Sequence, residues 1–176
     1  PELENLVLNK FHADTTPPSI QLLSPVNNSL SNQSSQSIQW QADDNAGIFN
    51  YLTRIDDQAW QDQGTVTQFT PTLSDGTHLV RICANDTSAN NRTLILNVTI
   101  DTIEPSLGFT NVEEGEVFGK ENITIQWQAS DTSGIKNYWF KLDDESWIDL
   151  DLNTSRNITA PDGSHTIELS ASDTAR

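Results

Sequence analysis

The sequence predicts an all-β protein built from two tandem β-sandwich domains, and three observations support this prediction. Apolar residues alternate with polar ones along short segments, turn residues separate these segments, and the pattern repeats after 87 residues. Alternation with a period of two places one face of a strand against a core. Short strands with frequent turns are typical of sandwiches, which run to roughly 100 residues, and 176 residues are enough for two domains of about the 87-residue repeat length.

The repeat runs without a gap along most of the chain. Pairing residues 14–89 with 101–176 gives 26 identities in 76 positions. This many identities over 76 positions without a gap are not expected by chance, so we interpret the chain as a duplication. The predicted organisation is an N-terminal strand or linker at 1–13, a first repeat at 14–100 and a second repeat at 101–176.

Three segments of the first repeat show the alternation most clearly. They are 37–42, 78–84 and 94–100, and no segment of the chain shows helical periodicity. In the second segment Cys83 is expected to point outward. The residues expected to face the core are Ile38, Trp40 and Ala42, then His78, Val80, Ile82 and Ala84, then Leu94, Leu96, Val98 and Ile100.

Turn chemistry separates these strands at matching places in both repeats. Asp-Gly pairs at 75–76 and 162–163 predict tight turns, because glycine adopts a positive φ at little cost. Gly47 and Gly134 end short acidic turns. Prolines 17, 18 and 105 lie at the repeat junctions, where a fixed φ stiffens the chain.

The residues shared by the two repeats form a recognisable frame. It reads Asp-Thr-x-x-Pro, Ile-x-Trp-x-Ala, Asp-x-x-Gly-Ile, Asp-Asp-x-x-Trp, Asp-Gly-x-His and Ala-x-Asp-Thr. This frame resembles the tandem immunoglobulin-like repeats of archaeal and bacterial adhesins, surface-layer proteins and filaments. The resemblance covers residues 14–176 and implies immunoglobulin-like sandwiches at a cell surface; it does not specify a ligand.

The second repeat ends before a counterpart of the first repeat's last strand. Conversely, residues 3–13 lie in the phase of 90–100 and contain the apolar residues Leu6, Val7, Leu8 and Phe11. One explanation is that the chain is part of a longer array of repeats. The other is that this segment completes the second domain of a neighbouring copy, as in donor-strand complementation. The expected partners are therefore copies of the chain or adjacent repeats of it.

Composition excludes several classes of function. The net charge is 9 − 25 = −16, which disfavours binding to nucleic acid or to an anionic membrane surface. No apolar run is long enough for membrane insertion. Cys83 is the single cysteine, so no disulfide forms within the chain.

No catalytic residues are predicted, because no Ser-His-Asp frame is present and the paired carboxylates recur in turns of both repeats.

N-glycosylation sequons are the strongest site signal. Eight occur, against roughly three expected from the Asn, Ser and Thr content. Asn97 and Asn122 lie on the outward phase of their strands, as an attached glycan requires. We predict N-linked glycans at several of the eight, which are Asn27, Asn32, Asn85, Asn91, Asn97, Asn122, Asn153 and Asn157.

Acidic residues at the strand ends are weak candidates for a calcium site, and no other cofactor is expected. A hard cation such as Ca²⁺ needs six to eight oxygen ligands. Aspartates that cap turns are the commoner explanation of such a pattern. The candidates are Asp14, Asp44 and Asp86 in the first repeat and Asp101, Asp131 and Asp173 in the second.

Histidine and tryptophan also recur at the repeat spacing. His78 and His165 follow the Asp-Gly turns and are expected to be structural residues that hydrogen-bond a neighbouring loop. Trp60 and Trp147 are expected to fill the cores, whereas Trp139 replaces Leu52 and is the candidate for an exposed sugar-stacking platform. The favoured hypothesis is a structural module of a glycosylated extracellular stalk or filament; the alternative is an adhesin or carbohydrate-binding module.

Overall fold

The computed structural model describes residues 13–119 and 122–176. All the regular structure in these residues is β, with fourteen strands and no helix. The strands of the first repeat are β1 Ser19–Ser24, β2 Ser29–Ser31, β3 Ile38–Asp43, β4 Ile48–Ile55, β5 Gln61–Asp62, β6 Gln68–Phe69, β7 Gly76–Asp86 and β8 Asn91–Ile100. Those of the second are β9 Ser106–Phe109, β10 Asn122–Ser130, β11 Ile135–Leu142, β12 Ile148–Asp149, β13 Ser155–Thr159 and β14 Ile167–Asp173.

The chain divides into two compact units. The first takes in residues 13–29, Ser35–Leu73 and Thr77–Val98, and the second takes in Leu30–Ser34, Ser74–Gly76 and Thr99–Arg176. The repeat boundaries at 14–100 and 101–176 remain a prediction from the sequence.

The first repeat contains two antiparallel sheets. One has the order β1-β3-β6 and the other the order β2-β8-β7-β4-β5. In the larger sheet, Tyr51 pairs with Ala84 and Leu52 with Cys83, after a bulge near Asn50. The larger sheet thus has β7 at its centre, with β8 and β4 on its two sides.

The second repeat contains sheets with the orders β13-β10-β9 and β12-β11-β14. In β11, Tyr138 pairs with Ala171 and Trp139 with Ser170, again after a bulge near Asn137. Each of these pairs lies 87 residues beyond its counterpart in β4 and β7, so the duplication preserves strand register and bulge position.

Burial follows the predicted alternation in most strands. Trp40 is 1% exposed and lies edge-on to Tyr51 at 5.5 Å, and the corresponding Trp127 and Tyr138 lie 6.1 Å apart. In β8, Leu96 and Val98 are fully buried whereas Ile95 is exposed. The predicted all-β sandwich fold is confirmed.

Cys83 alternates with the core residues Ile82 and Ala84, as predicted, but its side chain is buried and not open to solvent. It lies in β7, the central strand of the five-stranded sheet, and its cross-strand partner is Leu52. Side chains of the strands on either side flank Cys83 on the same face of the sheet and shield this small side chain from solvent. Simple alternation therefore underestimates burial in this strand.

Candidate functional site

Three carboxylates of the first repeat meet at one end of its strands. Asp14 precedes β1, Asp44 directly follows β3, and Asp86 is the last residue of β7. One oxygen from each of the three lies within 4.8 Å of the others. We call Asp14, Asp44 and Asp86 the first carboxylate group. Distant positions in the sequence are thus brought together by the sandwich.

Asp86 is the most constrained member of the first carboxylate group. It is 2% exposed and accepts hydrogen bonds of 2.8 Å from the backbone N–H groups of Ser88 and Asn90 and from Asn90 Nδ2. Burial alone would raise the pKa of Asp86, but these hydrogen bonds outweigh it and hold the pKa below the ordinary value. The side chain is therefore held as a carboxylate.

The other members of the first carboxylate group retain oxygen atoms with unused acceptor capacity. Asp44 Oδ1 accepts a hydrogen bond from Ala46 N at 2.8 Å. Asp14 Oδ1 accepts one from Thr16 N, whereas Asp14 Oδ2 is buried and has no hydrogen-bond donor among the described residues. The carboxyl groups of Asp14 and Asp86 are close enough to share a hydrogen bond.

The second repeat places Asp101, Asp131 and Asp173, the second carboxylate group, at the equivalent strand ends. The carboxyl groups of Asp101 and Asp131 lie within hydrogen-bonding reach of each other. Asp173 is fully buried, and its Oδ2 lies 3.6 Å from Arg176 Nε. Burial would raise the pKa of Asp131, but hydrogen bonds from Ser133 outweigh it and lower that pKa.

Sequence reasoning named all six carboxylates but missed the polar neighbours around the first group. Asn45 Nδ2 lies 3.3 Å from Asp14 Oδ1, and Asn90 Nδ2 lies 3.3 Å from the Asp14 carbonyl oxygen. The repeat comparison could not reveal them, because Asn45 corresponds to Thr132 and Asn90 lies beyond the aligned segment. Both amides approach Asp14 with their nitrogen atoms and donate hydrogen bonds, so the oxygens available to a hard cation here are those of the carboxylates and the Asp14 carbonyl.

Both histidines contact an aspartate in the turn that follows a neighbouring strand of the sheet, β4 for His78 and β11 for His165. His78 Nδ1 lies 2.8 Å from Asp56 Oδ2, and His165 Nδ1 lies 2.8 Å from Asp143 Oδ2. The second oxygen of each aspartate accepts a backbone N–H from the residue after its histidine. Asp56 and Asp143 have positive φ angles of 49° and 52°, so these pairs fix strained turns. The predicted structural role of the histidines agrees with this geometry.

We expect the His165–Asp143 pair to make stability pH-dependent. The hydrogen bond to Asp143 raises the pKa of His165, and the hydrogen bond from His165 lowers the pKa of Asp143. The histidine's contribution is complete below its unfolded pKa of about 6.5 and is lost as pH rises through the higher folded pKa. The aspartate's contribution is present above its unfolded pKa of about 3.9 and is lost as pH falls through the lower folded pKa.

The test compares denaturant unfolding of the wild type and His165→Gln at about pH 6 and about pH 8. The stability advantage of the wild type should shrink at the higher pH. A gap of the same size at both values would contradict the prediction.

The eight predicted glycosylation sites differ in accessibility. Asn85, Asn97 and Asn153 use their Nδ2 atoms as hydrogen-bond donors within the protein. Asn32 is partly buried. The remaining sequon residues are exposed; they are Asn27, Asn91, Asn122 and Asn157.

The expectation that Trp60 and Trp147 fill the cores was wrong. They are 41% and 47% exposed, and Lys141 Nζ lies 5.8 Å from the Trp147 ring centroid. Trp139, predicted as the exposed tryptophan, is partly buried in β11. Both repeats thus present an aromatic ring to solvent at the same place, just before β5 and β12.

The predicted donor-strand residues Leu6, Val7, Leu8 and Phe11 lie outside the described residues. The strand that they would join, β14, lies within the described part of the chain. Among the described residues, β14 pairs with β11 and its other edge has no strand partner.

The fold defines the class of protein as a β-sandwich of the immunoglobulin and fibronectin type III kind. Residues 105–169, less than half of the chain, match the family described as Bacterial Ig domain. The fibronectin(III)-like modules of Clostridium thermocellum CbhA are similar in structure, with a TM-score of 0.50 and 19% identity over 89% of this chain and 87% of theirs. This likeness supports the fold.

Two further solved structures are similar at lower scores. The FN1-FN3 domains of chicken CNTN1 give a TM-score of 0.46 and 12% identity over 91% of this chain and 62% of that one. The structure of Bacteroides ovatus SGBP-B in complex with mixed-linkage heptasaccharide gives a TM-score of 0.40 and 14% identity. The match covers 90% of this chain and 46% of that one. No curated protein sequence matches this chain.

A bilayer-spanning helix, with the required length and apolar character, is absent from the residues that the structure describes.

Proposed function

We propose that the chain is a non-catalytic structural module of an extracellular stalk or filament, and that a strand from outside the second repeat completes its sandwich. The free edge of β14 carries this proposal. In the first repeat, β8 lies against the corresponding edge of β7. In the second, no described strand takes that place beside β14.

The apolar residues of β14 are less covered than their counterparts in β7. Val80, Ile82 and Ala84 are each fully buried. The equivalent residues of β14 pack against the second core but remain partly exposed; they are Ile167, Leu169 and Ala171. An open edge with apolar side chains beside it is a template for strand addition, and leaving it open favours aggregation.

The strand that we propose for this edge has the sequence of residues 3–13 or of a following repeat. This segment shares the phase of β8 and carries Leu6, Val7, Leu8 and Phe11. Main-chain hydrogen bonds would supply affinity and the apolar side chains would supply specificity. If the strand comes from a second copy, the contact is head-to-tail and propagates as a filament.

The surface properties of the chain suit an extracellular location. A net charge of −16 favours solubility and mutual repulsion. Glycans on exposed sequon residues such as Asn91 and Asn122 would add bulk and shielding. We therefore include N-glycosylation and a cell-surface setting in the proposal.

Light scattering after size-exclusion chromatography tests the source of the strand. We expect the full chain to form concentration-dependent oligomers and the double variant Val7→Asp/Phe11→Asp, at the positions in phase with Leu94 and Val98, to remain monomeric. The matched control Leu6→Asp/Leu8→Asp adds the same charge in the phase of the exposed residues Thr93 and Ile95 and should still assemble.

A synthetic peptide with the sequence of residues 90–100 separates the two sources of the strand. A monomeric chain whose melting temperature the peptide raises would place the completing strand in an adjoining repeat. A monomeric chain that the peptide does not stabilise would overturn the proposal.

The exposed tryptophans favour a second candidate, a carbohydrate-binding or adhesive module. Trp60 and Trp147 recur at the same place in both repeats and present aromatic faces on which sugar rings can stack. Retardation of the chain in gels containing soluble polysaccharide, lost in Trp60→Ala/Trp147→Ala, would favour this function over a purely structural one.

A further inference from the structure

The first carboxylate group concentrates negative charge without a compensating cation. Asp14, Asp44 and Asp86 bring oxygens within 4.8 Å of one another. Among the described residues, no lysine, arginine or histidine forms an ion pair with any of the three. Asp86 is buried and Asp14 and Asp44 are half-buried, so their mutual repulsion is only partly screened by water and an opposite charge between them would relieve it.

Each group contains a buried carboxylate oxygen that has no hydrogen-bond donor among the described residues. Asp101 is 5% exposed, and its Oδ1 accepts a hydrogen bond from Ile103 N. Its Oδ2 is buried, has no donor among the described residues and belongs to a carboxyl group that reaches Asp131. Asp14 repeats this arrangement: Thr16 N binds one oxygen, and the other is buried without a donor.

A hydrogen-bond donor on the protein would satisfy such an oxygen, and the described residues of neither repeat supply one. Oδ2 has no donor in either aspartate, although the residue two positions later, whose N–H binds Oδ1, differs: it is Thr16 in one repeat and Ile103 in the other. The recurrence shows that the open oxygen belongs to the shared frame and does not depend on one local sequence. A bound cation satisfies buried carboxylate oxygens without a donor.

We propose that the first carboxylate group binds a calcium ion. Two ligands at about 2.4 Å from one Ca²⁺ are at most about 4.8 Å apart, and the three oxygens meet that limit. The Asp14 carbonyl oxygen can supply a further ligand, whereas Asn45 and Asn90 approach the group through their Nδ2 atoms as hydrogen-bond donors. The group contains no imidazole or thiolate, which excludes the ligand set that zinc prefers. Loop-borne carboxylates also suit the flexible coordination of Ca²⁺ better than the strict octahedron of Mg²⁺.

The second carboxylate group lies at the equivalent strand ends, but its three carboxylates do not converge within the same 4.8 Å among the described residues. Arg176 stands where the first repeat has Ala89, and its Nε lies 3.6 Å from Asp173 Oδ2. The guanidinium supplies part of the positive charge that an ion would bring. The two groups therefore differ in charge: an arginine lies beside the second carboxylate group, whereas no described cationic side chain forms an ion pair with the first.

Calorimetric titration of the full chain with CaCl₂ tests the proposal. We expect binding to the wild type, and at least about tenfold weaker affinity in Asp44→Asn, which removes one ligand charge. This variant keeps an acceptor for Ala46 N and so preserves the turn. The control Asp57→Asn changes a side chain that is 99% exposed and outside the group, and should bind Ca²⁺ like the wild type.

Thermal unfolding in EDTA and in CaCl₂ provides the second measurement. Calcium should raise the melting temperature of the wild type and of Asp57→Asn, and should raise that of Asp44→Asn less, because a bound ligand stabilises the folded state. Absence of both heat and stabilisation in the wild type would overturn the proposal. Equal losses in Asp44→Asn and Asp57→Asn would do the same, since they would reveal diffuse attraction to an acidic surface.

Discussion

Trp40→Ala is expected to lower the free energy of unfolding of the first unit by about 3–5 kcal/mol, which is the usual cost of emptying a buried tryptophan site. Trp40 is 1% exposed and packs edge-on against Tyr51 at 5.5 Å. Its Nε1 has no hydrogen-bond acceptor among the described residues, so the loss comes from packing and burial. Urea denaturation followed by circular dichroism measures the change, with the two units fitted as separate transitions where they resolve.

Trp60→Ala is the matched control for this experiment. It removes the same side chain from the same repeat, but Trp60 is 41% exposed. We expect a loss of less than about 1 kcal/mol. If the two substitutions cost the same, the assignment of Trp40 to the core and Trp60 to the surface would be wrong.

The two tryptophans also show what the sequence could predict about the fold. Trp40 lies in a segment with clear alternation, and periodicity alone places it in the core. Trp60 lies in a short turn before β5, where no periodicity exists and recurrence in both repeats was the sole guide. Recurrence indicates that a residue serves the shared frame, but it does not distinguish a buried side chain from an exposed one.

The candidate cation site shows how far the sequence could predict a functional site. Each aspartate could be identified at a strand end, because a turn residue that follows an apolar run is visible in the sequence. The proximity of the three aspartates could not be predicted from the sequence, because it joins residues 14, 44 and 86 and depends on how the strands pair. The supporting side chains Asn45 and Asn90 were invisible for the same reason: their role is defined by distance to Asp14.

Asp86→Ala is expected to lower the melting temperature of the first unit by roughly 10 °C, measured in EDTA so that cation binding does not contribute. The substitution removes the acceptor of the Ser88 and Asn90 backbone N–H groups and of the Asn90 side chain. Because Asp86 is 2% exposed, water cannot replace these hydrogen bonds without opening the turn. The turn that connects β7 to β8 should therefore loosen.

Two comparisons show whether these hydrogen bonds cause the loss. Asp86→Asn keeps one acceptor oxygen and should lose less than half as much, whereas Asp57→Ala, at a side chain 99% exposed, should melt like the wild type. If Asp86→Asn were as damaging as Asp86→Ala, charge would matter more than hydrogen bonding. A wild-type melting temperature in Asp86→Ala would mean that the β7–β8 turn holds without its carboxylate. In that case the carboxylate would be free to serve ion binding alone.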